Sequence, residues 1–116
     1  MMALKKEQNR LKKKTQIYYE TGYSVAVCDR HNLALKMPSI FGEKVDNVLD
    51  FTGMEDTAER FIAEHKEIQK KTLFLYVTGL TAGVIAILNV CRRHGMTVTL
   101  YHYNKEYKNY EPQRVL

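Results

Sequence analysis

Cysteine is scarce in this sequence. The 116 residues include only Cys28 and Cys91, with no CxxC pair and no cluster of histidines at metal-ligand spacing around them. We therefore predict neither a disulfide framework nor a metal site. No signal peptide is recognisable, and together with the two isolated cysteines this leads us to expect a protein of the reducing cytoplasm.

One stretch of the chain, Thr72–Cys91, contains no charged residue and is flanked by a basic pair at each end. Twenty uncharged residues are long enough to span a bilayer. The stretch is nevertheless diluted by Thr78, Gly79 and Asn89, and its flanking charges give no inside bias. A parallel strand buried on both faces, followed by a covered helix, produces the same hydropathy. We favour that second interpretation and expect no membrane association.

Acidic residues are almost absent from the first 14 residues. This segment holds six lysines and arginines against Glu7 alone, and so accounts for the whole net charge of +5. A basic arm is typical of proteins that bind phosphate-rich partners, nucleic acid above all. The alternative is a solvated, frayed helix. We divide the chain into a basic N-terminal helix or arm, residues 1–20, and a single α/β domain, residues 21–116.

The best-defined part of the chain is residues 71–104. Strand, helix and strand with short connections predict a βαβ crossover with two parallel strands. A helix this apolar needs cover on more than one side, and a second copy of the chain could supply it, as a homodimer. The predicted elements are a strand (Thr72–Val77), a corner (Thr78-Gly79), a helix (Leu80–His94), a stop at Gly95 and a strand (Met96–Tyr103).

The other elements are predicted less sharply. Tyr23–Cys28 has the composition of a buried strand, and Asn32–Met37 could pair with it as a hairpin. At the C-terminus, Asn104–Asn109 is a polar turn from which Tyr110–Leu116 returns as an edge strand, the only strand position that tolerates Pro112.

A second Thr-Gly corner precedes the one at Thr78. Val48–Gly53 could be a short strand or a helical turn, and the helix after it has apolar residues at helical spacing. Glu55 and Asp56 place carboxylates in the first turn of that helix, where they can satisfy its free amides. No acid follows Thr78-Gly79, so the amides of that helix have capacity for an anion unless the threonine hydroxyls cap them.

Parallel strands end at the same edge of a sheet, where open α/β proteins bind ligands. We therefore predict a phosphate-binding site at this edge. His102 could contact phosphate, act as a general acid or base, or simply anchor the turn. Arg30 and His31 reach the same edge if the first strand is also parallel, and Gln113 and Arg114 could rim the site. The predicted ligand-binding residues are Thr78, Gly79, Leu80, Thr81, Asn104, Lys105, Arg30 and His31, with His102 as the candidate catalytic residue.

No complete catalytic set is present. The sequence lacks a Walker loop, a nucleophile elbow and paired carboxylates at the predicted edge, and we predict no cofactor. Whether the protein is an enzyme stays open. Tyrosines and basic residues interleave at the C-terminus, a composition suited to base stacking or, alternatively, to half-buried strand faces and interfaces: Tyr101, Tyr103, Lys105, Tyr107, Lys108, Tyr110 and Arg114.

Two runs, Leu49–Gly53 and Tyr76–Thr81, resemble the strand–loop–helix signature of CRISPR-associated Rossmann-like domains that sense cyclic oligoadenylates. The second run, together with Tyr101–Lys105, is similar to the small ring-nuclease family that degrades these messengers as oligomers. Leu73–Gln113 also resembles small proteins of bacterial mobile elements. The resemblance covers residues 48–105 in pattern, but no basic residue follows Thr81 and Asn104 stands where ring nucleases tend to have aspartate.

Together with the elements predicted above, the resemblance leads us to expect an α/β fold: a small Rossmann-like βαβ core with a partly parallel sheet, and a C-terminal β-hairpin. It also implies a protein that binds a nucleotide or cyclic oligonucleotide to sense it, sequester it or cleave it slowly. An enzyme of this kind would be a metal-independent phosphodiesterase. The alternative is a non-enzymatic interaction protein that grips nucleic acid or a protein through the basic arm and the tyrosine-rich hairpin.

Overall fold

The computed structural model describes residues 22–29 and 37–116. The predicted basic arm, Arg30, His31 and most of the predicted strand Asn32–Met37 lie outside the described residues. Within them, the elements are β1 (Gly22–Ala26), α1 (Phe51–Glu64), a 3₁₀ helix (Lys66–Lys70), β2 (Thr72–Tyr76), α2 (Thr81–Arg93), β3 (Val98–Asn104) and β4 (Asn109–Arg114).

The four strands form one sheet in the order β1-β2-β3-β4. β1, β2 and β3 are mutually parallel, and β4 pairs with β3 in the antiparallel direction. This settles the direction of the first strand, which the sequence left open. On the outer side of β1, Ser39 forms a parallel bridge with Ala26.

The predicted βαβ unit is confirmed, and its boundaries agree with the structure to within two residues. β2 is a largely buried run of apolar and threonine side chains. Leu73 and Leu75 face the helices, whereas Phe74 and Tyr76 lie on the other face against neighbouring aromatic rings. Gly95 follows α2 with a positive φ of 65°, the backbone conformation that glycine provides at the end of a helix. α2 therefore runs back across the sheet from the carboxyl end of β2 to the start of β3.

Both helices pack against one face of the sheet. Alternation along each strand directs every second side chain toward them. The core formed in this way includes the strand residues Val25, Leu73, Leu75, Val98 and Leu100 and the helix residues Ala58, Ile62, Val84, Ile87, Val90 and Cys91.

The stretch Val48–Gly53 is not a strand. Of the two alternatives for it, the helical turn is correct, because α1 begins within this stretch at Phe51. The Asp50 side chain accepts a hydrogen bond from the Gly53 amide at 3.0 Å and caps α1, whose first residue is Phe51. This is the capping role of an aspartate at a helix N-terminus, so Asp50, rather than Glu55 or Asp56, satisfies the first turn. The helical pattern also ends earlier than its spacing suggested, and buried Ile68 lies on the 3₁₀ helix.

β4 is the outermost strand on its side of the described sheet, and Pro112 lies within it, paired with Tyr101. None of the helices in residues 22–29 and 37–116 has the length and apolarity needed to cross a bilayer.

Candidate functional site

The parallel strands β1, β2 and β3 end at one side of the sheet, which we call the carboxyl edge. Tyr76 pairs with Tyr101 in the parallel ladder, so Thr78 and His102 both follow at this edge on neighbouring strands. The structure thus places the predicted residues of the β2–α2 loop and of the end of β3 at the same side of the molecule. The positions of Arg30 and His31 lie outside the described residues.

Thr78 has a structural role that the sequence did not reveal. Its side chain is only 1% exposed. Its hydroxyl donates to the Cys28 carbonyl at 2.7 Å and accepts from the Cys28 amide at 2.8 Å. These two bonds join the end of β2 to the chain just after β1, and they occupy the hydroxyl that we had considered for a ligand or for capping α2.

The start of α2 is the feature that best fits an anion. Gly79 and Leu80 have consecutive positive φ values of 87° and 55°, and for a leucine this conformation is uncommon and strained. Leu80 occupies the N-cap position without a side-chain hydrogen bond, and no acid lies in the first turn. Among the residues that the structure describes, no group accepts a hydrogen bond from the amides of Thr81 and Ala82. Two backbone donors at the positive end of the helix dipole are therefore available.

Gly83 allows a close approach, but by a side chain of the protein itself. A Cβ at this position would lie 2.9 Å from Cε2 of Phe41, which is closer than such atoms normally approach. Phe41 therefore packs directly against the first turn of α2. The Leu80 side chain also lies close, with its Cδ2 3.0 Å from the same position.

His102 lies at the carboxyl edge and is exposed. It alternates with Tyr101 and so lies on the face of the sheet that carries the helices, as Leu100 does. Its Nε2 is 2.8 Å from Oε1 of Gln113 on β4. In the tautomer that carries its proton on Nε2, the ring donates to this amide oxygen, and the lone pair of Nδ1 can accept a hydrogen bond from a ligand.

Asn104 is occupied by the turn that follows β3. Its Oδ1 accepts from the amides of Glu106 and Tyr107 at 3.0 and 3.3 Å, and its Nδ2 donates to Glu111. This arrangement is that of an asparagine that stabilises a turn. Lys105 is exposed in the same turn. Asn104 and Lys105 were both predicted to bind the ligand. The Asn104 side chain is engaged in these hydrogen bonds, so Lys105 is the better placed of the two to contact a phosphate.

A polar groove of about 410 Å³ lies between the loop after residue 41 and the first half of α1. Phe41 forms one wall, so this ring separates the groove from the start of α2. Sequence reasoning missed the groove, although one helical face carries Gly53, Thr57 and Arg60 at intervals of four and three residues. The groove is lined by Phe41, Lys44, Asp46, Asn47, Thr57 and Arg60, among others.

A second, apolar groove of about 240 Å³ lies between the two helices, lined by Phe51, Ala82, Ile85 and Asn89 together with two further residues. It faces away from the sheet, since Phe51 and Ile85 are among the exposed large apolar side chains. Its polar lining residues are Glu55 and Asn89, and the Glu55 carboxylate is paired with Arg93.

The cysteines have no catalytic environment. Burial raises the pKa of the Cys91 thiol to about 12, so it is not a thiolate near neutral pH. Cys28 is also fully buried. His94, three residues after Cys91, pairs with Glu59 instead. In the two described stretches, no group of three or more potential metal ligands comes together.

The two helices are linked by ion pairs near the C-terminal end of α2. Arg93 contacts Glu55 at 2.6 Å and Glu59 at 3.4 Å, and His94 contacts Glu59. The hydrogen bond from His94 is the main cause that lowers the pKa of Glu59 below its ordinary value of 4.5.

We expect this pairing to make stability sensitive to acid. Because the folded-state pKa of Glu59 is lowered, its contribution is complete above about pH 4.5 and is lost as the pH falls through the folded-state value. Urea unfolding between pH 7 and pH 3 should show a smaller acid-induced loss in Glu59→Gln than in the wild type. The contribution is small because the carboxylate is largely exposed to water.

Glu64→Gln is the matched control, since Glu64 is exposed on the same helix and makes no ion pair with a described residue. An acid-induced loss that Glu59→Gln leaves unchanged, or that Glu64→Gln reduces equally, would contradict the assignment.

No protein-family model matches this chain, and we find no significant match to a curated protein or to a solved structure.

Proposed function

We propose that this protein binds a nucleotide or cyclic oligonucleotide at the carboxyl edge of its parallel sheet, in a Rossmann-like manner. The observation that carries the proposal is the start of α2, where strained Leu80 precedes two amides without a described hydrogen-bond partner. A phosphate there would accept both amide hydrogen bonds and interact favourably with the helix dipole. His102, on the same face and edge, can accept a hydrogen bond from a ligand hydroxyl through Nδ1.

The polar groove provides room for the nucleoside. Its volume of about 410 Å³ falls within the range of small-molecule sites. A base can stack on Phe41, the ring between the groove and α2. Lys44 and Arg60 supply cations, and Asp46 supplies a carboxylate for ribose hydroxyls or an exocyclic amine. A ligand with its phosphate at α2 and its base in the groove would therefore contact Phe41 between the two.

Binding, as sensing or sequestration, is the activity that these residues support most directly. For cleavage, the candidate among the described residues of the carboxyl edge is His102, acting as a general base without a metal. The cyclic oligonucleotide is the ligand class suggested by the resemblance of Tyr76–Thr81 and Tyr101–Lys105 described above. We further propose that the protein acts in the cytoplasm and as a homodimer.

Thr81→Glu tests the proposal. A carboxylate in the first turn of α2 should stabilise the helix by about 0.3–1 kcal/mol while occupying the amides and repelling phosphate. We therefore expect the melting temperature of the free protein to rise slightly. Affinity for nucleotides in isothermal titration with AMP, ATP and cyclic di-, tri- and tetra-adenylate should fall about tenfold or more. His102→Ala should weaken binding without the gain in stability.

Gln69→Glu is the control, because it adds the same charge on the 3₁₀ helix before β2, at the opposite edge of the sheet. It should bind like the wild type. If the wild type binds none of these nucleotides, or if Thr81→Glu binds them as tightly as Gln69→Glu does, the proposed site is wrong.

A further inference from the structure

The face of the sheet opposite the helices carries a continuous row of aromatic rings. Tyr76 and Tyr101 stack with ring centroids 4.8 Å apart and planes within 10° of parallel. Tyr76 contacts Tyr110 at 5.0 Å, and Tyr110 contacts Tyr103 at 5.3 Å. Phe74 extends the row, edge-on to Tyr101 at 5.7 Å. The row thus combines side chains from three strands, and only part of it could be foreseen from the C-terminal tyrosines.

The row changes from buried to exposed toward the β3–β4 turn. Phe74 and Tyr101 are buried, Tyr76 and Tyr110 are partly exposed, and Tyr103 is 51% exposed. Burial is the main cause that raises the pKa values of Tyr76 and Tyr110, so these rings are neutral at physiological pH. The exposed end therefore offers uncharged aromatic surface that a planar ligand can stack on.

Positive charge lies beside this exposed end. Lys105 and Lys108 are exposed in the turn that joins β3 to β4, next to Tyr103 and Tyr110. Glu106 is in the same turn, whereas Glu111 alternates onto the opposite face and contacts Asn104.

From this juxtaposition we infer that single-stranded nucleic acid binds across the exposed tyrosine face, with bases stacked on Tyr103 and Tyr110 and phosphates near Lys105 and Lys108. Aromatic rings on a sheet beside cations are the combination that binds single strands with little sequence preference. A duplex keeps its bases stacked internally and cannot offer their faces to these rings. This surface is on the other face of the sheet from the proposed nucleotide site and is independent of it.

Fluorescence anisotropy with labelled (dT)20, (rU)20 and a 20-base-pair duplex tests the inference. Tyr103→Leu keeps an apolar side chain but removes the aromatic ring, and its exposed position leaves folding unaffected. Because one base–aromatic stack contributes about 1–3 kcal/mol, affinity for the single strands should fall about 5- to 150-fold. Binding should also weaken with salt.

Tyr107→Leu is the matched control, since Tyr107 is 68% exposed in the same turn but has no ring contact with the described row. It should change affinity by less than about twofold. The inference is overturned if the wild type binds neither single strand, if the duplex binds as tightly, or if Tyr103→Leu and Tyr107→Leu bind alike. A dimer that dissociates in sedimentation on Tyr103→Leu would also overturn it, because a second copy would then occupy the face.

Discussion

Replacing Ile87 with alanine should destabilise the protein by about 2–5 kcal/mol, the usual cost of truncating a buried isoleucine. Ile87 is 0% exposed and belongs to the core cluster that joins α2 to the sheet. Truncation leaves a cavity where α2 packs against β2 and β3, in the βαβ unit at the centre of the fold. Urea unfolding should show the loss directly, and the melting temperature should fall by roughly 10 °C or more.

Ile85→Ala provides the comparison on the same helix with the same chemistry. Ile85 is 53% exposed, so little apolar area returns to water, and alanine has the higher helix propensity. The two effects nearly cancel, and we expect a change within about 1 kcal/mol. Equal losses from the two substitutions would show that α2 does not present Ile87 to the sheet as described.

Thr78→Val should cost about 2–3 kcal/mol although the two side chains have nearly the same shape. The substitution removes both hydrogen bonds to the backbone of Cys28. Each contributes about 1 kcal/mol, and burial of peptide groups with a lost partner adds to the loss. Chemical denaturation at neutral pH measures the effect. The result would also show that Thr78 cannot serve as a probe of ligand binding, because its loss weakens the fold itself.

Two further variants test whether loss of the Thr78 hydroxyl causes the destabilisation. Thr78→Ser keeps the hydroxyl and removes one methyl group, so it should cost less than Thr78→Val, about 1 kcal/mol. Thr81→Val makes the same chemical change at an exposed neighbouring position and should be near neutral, within about 0.5 kcal/mol. A Thr78→Val protein as stable as the wild type would refute the structural role.

The βαβ unit could be predicted from sequence because several local sequence features indicate the same elements. An uncharged strand, an apolar helix and Gly95 as a stop leave few alternatives for residues 72–103. The first Thr-Gly corner was ambiguous because Val48 and Leu49 are apolar residues on the surface, both exposed, and imitate a short buried strand. The capping preference of Asp50 was the signal that could have resolved it.

The candidate site was predicted only in part, and the reason is tertiary. That Thr78 and His102 share an edge follows from parallel strands, which the crossover requires. The partner of the Thr78 hydroxyl lies 50 residues earlier in the chain, and no local pattern encodes that contact. The wall formed by Phe41 beside α2 likewise depends on how the chain returns along β1. The periodicity of apolar residues predicts which face of a helix or strand is buried. Contacts between segments far apart in the sequence can be identified only from the folded structure.

The position of Pro112 limits how copies of this protein can assemble. An outer strand with a regular row of free amides and carbonyls invites another strand to extend the sheet. Proline has no N–H, and inside an edge strand it leaves that row without a donor at this position. A continuous intermolecular ladder through β4 is therefore disfavoured. The homodimer that we propose is not expected to form by extending the sheet through β4.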